Sequence, residues 1–184
     1  MANPQIIALG DSITYGYPFG HKYSWVELVS QKVGVSISNA GSNGDTFRDM
    51  INRLTIDIID QSPDYVILLG GANDVYQGTN LEAMNERFEK IVKTLLQNKI
   101  KPILCLPTPI EEKDFEETLA GFRKTVKSLA KQKNLSLINF YDPFFEGKKK
   151  KVGAGLLEDG VHPSVAGYKL MADVAAPVLQ KILK

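Results

Sequence analysis

The chain has 184 residues, 43% hydrophobic and 23% charged, a size and composition that suit one soluble globular domain, residues 1–184, with a substantial core. Its formal net charge of +1 provides no strong field to draw nucleic acid or an anionic membrane surface. The one cysteine, Cys105, excludes an intrachain disulfide and a Cys-x-x-Cys metal or redox site, and its apolar surroundings predict a small buried hydrophobe.

The start, Met1-Ala2-Asn3-Pro4, has neither the basic region nor the apolar stretch of a signal peptide. No apolar run approaches the ~20 residues of a membrane span, so the expected location is the cytoplasm. Strand-like apolar runs then alternate with helical patterns to the end of the chain, as in βαβ units around a parallel sheet. The expected strands are Gln5–Leu9, Val35–Asn39, Tyr65–Leu69, Pro102–Leu106 and Leu135–Phe140.

The first helix is expected to open at Ser24, with Glu27 completing a capping box, and to close at Gly34. The second runs from about Thr46 to Asp60. The third opens near Asn80 with Leu81, Met84, Phe88, Ile91, Val92 and Leu95 on one face. The fourth carries Phe115, Leu119, Phe122, Val126 and Leu129, and the last begins at Pro163, with Pro177 expected to kink or split it.

Strands one, three and four are continuously apolar, whereas strands two and five tend to alternate. Strands buried on both faces read as solid apolar runs, so strands two and five belong at the edges. That predicts a flavodoxin-like α/β/α sandwich with order 2-1-3-4-5, and a ligand site beyond the carboxyl ends of strands one and three.

Four segments at strand ends converge there: Gly10-Asp11-Ser12, Asn39 through Thr46, Gly70-Gly71-Ala72-Asn73-Asp74, and Asp159-Gly160-Val161-His162-Pro163. A serine hydroxyl needs a base, and the base needs an orienting partner. Ser12, His162 and Asp159 supply the three roles. An oxyanion would need donors, and the candidates are the backbone N–H groups of Ser12 and Gly44 and the side-chain amide of Asn73. Each residue also has a plainer reading. Ser12 could cap a turn, His162 could make a structural bond, and Asn73 could form a turn. Asp159 could be a turn residue, and Gly44 could serve backbone geometry alone.

Taken together, the four segments resemble the sequence blocks of the SGNH hydrolases, the GDSL-type lipase/acylhydrolase family. Ser12 matches the nucleophile, Gly44 and Asn73 the oxyanion-hole residues, and Asp159 and His162 the acid and base. Ile13 stands where the family name has Leu. The resemblance implies hydrolysis of esters or thioesters by an acyl-enzyme on Ser12, with no metal or organic cofactor. It covers carboxylesterases, thioesterases, lysophospholipases and carbohydrate O-acetylesterases without choosing among them, so the partner is a small-molecule, lipid or carbohydrate ester.

Other chemistries on this sheet order fit less well. A receiver needs an aspartate at the end of strand three, where the chain reads Gly70-Gly71-Ala72. A haloacid-dehalogenase-type phosphatase needs Asp-x-Asp, where the chain has Asp11-Ser12-Ile13. Neither a Gly-x-Gly-x-x-Gly turn nor a Gly-x-Ser-x-Gly elbow is present at Ser12. The remaining alternative is a non-catalytic binding or regulatory module on the same fold. His21 is expected to be exposed. Lys148–Lys151 reads as a solvated loop, or as a lure for anionic esters. Among Tyr15, Tyr17, Phe19, Tyr23 and Trp25, some are expected to shape an acyl pocket, and Trp25 to pack the first helix on the sheet.

Overall fold

The computed structural model describes residues 4–146 and 151–183. Its centre is a parallel sheet of β1 (Ile6–Gly10), β2 (Ile37–Gly41), β3 (Tyr65–Leu68), β4 (Lys101–Leu106) and β5 (Ser136–Asn139), in the order β2-β1-β3-β4-β5. The helices are α1 (Ser12–Tyr15), α2 (Trp25–Val33), α3 (Phe47–Asp57), α4 (Ala72–Tyr76), α5 (Leu81–Gln97), α6 (Lys113–Lys133) and α7 (Val165–Ile182). A two-residue hairpin, β6 (Phe145–Glu146) with β7 (Lys151–Val152), stands apart from the sheet.

The period of two along each strand divides the core. Ile7, Leu9, Val66, Leu68, Leu104 and Leu106 face α3, α5 and α6, where Phe47, Phe88 and Phe122 pack edge-on or tilted at 5.1–5.4 Å between ring centroids. Ile6, Ala8, Ile67, Leu69, Ile103 and Cys105 face α2 and α7. Burial of the Cys105 thiol raises its pKa well above the ordinary value, as suits a packing role. β1 is buried along its whole length, while β2 and β5 are partly exposed. That is the contrast expected of central and edge strands.

Several local expectations need correction. β2 begins two residues late, because the Val35 carbonyl is held by the Ser30 hydroxyl at 2.8 Å and the ladder with β1 starts at Ile37. α3 stops at Asp57, and residues Ile59–Gln61 form a separate 3-10 turn after buried Ile58. Ser24 caps α2 through the Val26 N–H, but no capping box forms there. The Ser24 N–H is donated to the His21 carbonyl, and Glu27 accepts from Gln31 instead. The box occurs at Thr46 and Asp49.

The last helix starts at Val165, not Pro163. Ser164 is its N-cap, accepting from the Gly167 N–H at 3.1 Å, and Pro163 is left in a bridge with Leu157. Pro177 does not split α7, which is helical from Val165 to Ile182. Pro177 and Asp173 are both exposed, so the Asp173 carbonyl that loses its partner can be satisfied by water.

Candidate active site

Ser12 is the first residue of α1, immediately beyond β1. A four-residue helix is not self-supporting, so its surroundings must hold it. Asp11 is the N-cap and accepts from the Ile13 N–H at 2.9 Å. Gly16 closes the helix at φ 100°, returning its N–H to the Ser12 carbonyl at 2.9 Å. The Thr14 carbonyl receives both the Asn39 amide and the Ser24 hydroxyl, each at 2.7 Å. Gly41, at the end of β2, lies so close to α1 that a Cβ there would collide with the backbone of Thr14 and Tyr15. Ser12 is therefore held by groups from β2 and α2 as well as its own turn.

His162 and Asp159 come from a loop that fixes itself before α7. Leu157 and Pro163 form an isolated bridge, and the Glu158 N–H is donated to the His162 carbonyl at 2.8 Å. Asp159 Oδ1 accepts from the N–H groups of Val161 at 3.1 Å and His162 at 2.8 Å. Its other oxygen, Oδ2, lies 2.7 Å from His162 Nδ1. On the far side of the imidazole, His162 Nε2 lies 3.0 Å from Ser12 Oγ. Residues 150 positions apart thus form a continuous Ser12–His162–Asp159 chain of hydrogen bonds. Partial burial raises the Asp159 pKa, but the two N–H donors and the imidazole outweigh it and hold the carboxyl below its usual range.

The other two expected site residues, Gly44 and Asn73, lie in the β2–α3 connection and in α4. Gly44 has φ +86°, a conformation that favours glycine, and a Cβ there would meet nothing within 4 Å. Backbone geometry accounts for the residue, since the space around it would admit a Cβ. Asn73 is not on β3 but in the first turn of α4, and its amide donates to the Asp45 carbonyl at 3.0 Å. The next residue, Asp74, accepts from the Phe47 N–H at 3.0 Å, so adjacent side chains of α4 grip the segment that carries Gly44. The Ser12 N–H, at the first position of α1, has no intrahelical acceptor.

Two buried carboxyls lie beneath this arrangement. Burial pushes Asp11 up to about 7, and Asp74 and Asp45 add to the rise while the Ile13 N–H opposes it. Burial also pushes Asp74 up to about 6, against the Phe47 N–H and Arg87, whose guanidinium is 3.6 Å away. Among the described residues, no group of three or more His, Cys, Asp or Glu side chains is gathered as ligands for a metal ion.

Of the five aromatics from Tyr15 to Trp25, Tyr17 packs on His162, with its ring centroid 4.6 Å from that of the imidazole. Its carbonyl accepts from the Tyr168 hydroxyl of α7 at 2.7 Å. Tyr15 packs on exposed His21, Phe19 on Tyr23, and Trp25 is fully buried against Phe140. Lys148, Lys149 and Lys150 lie outside the described residues, and Lys151 opens β7. The sequence pattern does not single out Asp74 or Tyr168. A single polar residue within a helix carries no periodic signal, although Asp74 does directly follow Asn73 in its motif.

A five-stranded 2-1-3-4-5 sandwich with this chain of groups at its switch point defines a class, the esterases and acylhydrolases of the GDSL type. Residues 8–170 match the GDSL-like Lipase/Acylhydrolase family, and the chain belongs to it. It is 30% identical over 161 residues to an acetylxylan esterase of Geobacillus stearothermophilus, covering 80% of this chain and 73% of that one. It is 26% identical over 183 residues to thioesterase 1/protease 1/lysophospholipase L1 of Escherichia coli, covering 97% and 84% respectively. A solved member of the lipolytic protein G-D-S-L family from Veillonella parvula superposes with a TM-score of 0.86 at 27% identity, covering 96% of this chain and 98% of that one. The protein is accordingly an ester hydrolase. No helix among the described residues is long and apolar enough to cross a membrane.

Proposed function

We propose that the protein hydrolyses carboxylic esters, thioesters among them, by a two-step acyl transfer through Ser12, with the whole chain working as one domain. The observation that carries this reading is the hydrogen-bonded chain from Ser12 Oγ through His162 to Asp159, at 3.0 and 2.7 Å. His162 Nε2 takes the hydroxyl proton as Oγ attacks the carbonyl carbon, and Asp159 holds the proton on Nδ1 so that Nε2 is free to accept. The N–H groups of Ser12 and Gly44 and the Asn73 amide receive the developing oxyanion. His162 then protonates the leaving alcohol or thiol. In the second step it activates water, which attacks the acyl-enzyme and releases the acid.

One relative is named an acetylxylan esterase and another a thioesterase and lysophospholipase, which supports cleavage of oxygen esters and extends the reading to thioesters. A fluorescent organophosphonate tests the reading. It is expected to label the wild-type protein on the Ser12 peptide, with Ser12→Ala both unlabelled and inactive toward p-nitrophenyl acetate. Unlabelled wild type, with Ser12→Ala turning over at the wild-type rate, would overturn it.

A further inference from the structure

Arg53 is a side chain of α3 whose hydrogen bonds go to neither Ser12 nor His162, yet it ties together the segments on which all three proposed oxyanion donors rest. Its Nε donates to Asp45 Oδ2 at 2.6 Å and its Nη1 to Asp57 Oδ2 at 2.9 Å. Its Nη2 donates to two main-chain carbonyls at once, Gly10 at 3.0 Å and Ala40 at 2.8 Å. Four of the five guanidinium hydrogens are thereby used, by acceptors fixed in three directions. The side chain is 21% exposed and that of Asp45 is 12% exposed, so the pair is largely withdrawn from solvent.

Two of the acceptors, Gly10 and Asp45, lead to the proposed donors, while Asp57, one turn along α3, holds the guanidinium in place. Gly10 precedes Asp11 and Ser12, whose N–H is one donor. Asp45 directly follows Gly44, whose N–H is the second. The carbonyl of the same Asp45 accepts from the Asn73 amide, so Asp45 is held by Arg53 through its side chain and holds Asn73 through its backbone. Ala40 anchors the start of the β2–α3 connection at the sheet edge. From Arg53 to each of the three donors, the path crosses at most one residue beyond the anchored one.

We infer that Arg53 is a positioning residue for the oxyanion site, setting the distance between the Ser12, Gly44 and Asn73 donors by joining the ends of β1 and β2 to Asp45. This rests on the acyl-transfer reading given above. An oxyanion site contributes only where its donors are fixed before charge develops, so loosening the three together weakens the transition state more than substrate binding. A lysine cannot substitute, because a single ammonium lacks the planar fork needed to span two carbonyls and a carboxylate.

The test uses p-nitrophenyl acetate with wild type, Arg53→Lys, Asp45→Asn, Asn73→Ala and the Arg53→Lys/Asn73→Ala double variant. With folding checked by circular dichroism and thermal midpoint, Arg53→Lys is expected to lower kcat by about 10–100-fold with KM within about threefold. Asp45→Asn, which removes the charged acceptor but keeps the carbonyl that holds Asn73, is expected to lower kcat in the same sense, and it decides the matter if Arg53→Lys does not fold. The double variant is expected to be at least about threefold more active than the product of the two single losses, because the substitutions act on a shared site. Folded Arg53→Lys and Asp45→Asn with wild-type kcat would overturn the inference, as would losses that multiply in full. If Asn73→Ala itself kept wild-type kcat, the underlying oxyanion reading would fail. A loss in Asn73→Ala with none in Arg53→Lys or Asp45→Asn would remove only the role of Arg53.

Discussion

Asp11 lies directly before Ser12 with 1% of its surface exposed, and replacing it by Asn gives a sharp test of the electrostatics beneath the site. The amide oxygen of Asn can still accept from the Ile13 N–H, so the cap of α1 is preserved while the ionisable group is removed. In the folded protein burial raises the Asp11 carboxyl from 3.8 to about 7. The native state therefore binds a proton that the unfolded chain has released. The group's effect on stability is neutral below about pH 3.8 and becomes increasingly unfavourable as pH rises, levelling off above about 7. A shift of about three pKa units corresponds to about 4 kcal/mol over the full range, and about 2–3 kcal/mol of it falls between pH 5 and 8.

Urea unfolding of wild type and Asp11→Asn at pH 5, 6, 7 and 8 measures this directly. Other titrating groups, Asp74 included, are present in both proteins and largely cancel in the difference. Asp159 acts in the opposite direction, since a depressed carboxyl stabilises above its unfolded value and loses that contribution only as pH falls below it, outside this window. Asp11→Asn is expected to gain about 2–3 kcal/mol relative to wild type from pH 5 to pH 8. A difference that is flat with pH, or that moves in favour of wild type, would refute the argument that this carboxyl is held against its ionisation.

Two further substitutions probe the chain itself. Asp159→Asn is expected to lower kcat for p-nitrophenyl acetate by about 10³–10⁴-fold, because an amide donating to Nδ1 would place the imidazole proton on Nε2 and leave no base for Ser12. Steady-state kinetics at about pH 7.5 read this directly. Tyr168→Phe removes the hydroxyl that holds the Tyr17 carbonyl at 2.7 Å while keeping the buried ring. A loss of about 0.5–1.5 kcal/mol by urea unfolding is expected for that one hydrogen bond.

Much of this architecture can be read from hydrophobic pattern alone. Ile6-Ile7-Ala8-Leu9, Val66-Ile67-Leu68-Leu69 and Ile103-Leu104-Cys105-Leu106 are solid runs because each feeds two cores, one on either face of the sheet. The mixed composition of β2 and β5 reflects their edge positions and gives the strand order. Ser12, Gly44 and Asn73 stand out as candidates because each lies in a short motif just past β1, β2 or β3, and Asp159 and His162 because they share a short motif just before α7. Local detail is less legible where two sequence patterns compete for the same geometry. Ser24-x-x-Glu27 has the form of a capping box, but the Ser24 N–H is already committed to His21. Thr46-x-x-Asp49, with the shorter acid, makes the box instead. Pro163 reads as a helix start, but the hydroxyl of the next residue, Ser164, makes the stronger cap. α1, α4 and the β6–β7 hairpin are too short to show a period. Arg53 acts across elements distant in sequence, so nothing in its immediate neighbours points to it, whereas Asp74 adjoins Asn73 in a motif but its bond to the Phe47 N–H spans two elements.

Acyl transfer as proposed passes through an acyl-enzyme on Ser12. Acid quenching of the enzyme during turnover of p-nitrophenyl acetate, followed by intact-protein and peptide mass spectrometry, tests it most directly. One added acetyl group is expected, located on the peptide containing Ser12, with no adduct in Ser12→Ala. Continued turnover at the wild-type rate by Ser12→Ala, or an acetyl group carried on a different residue during wild-type turnover, would contradict it.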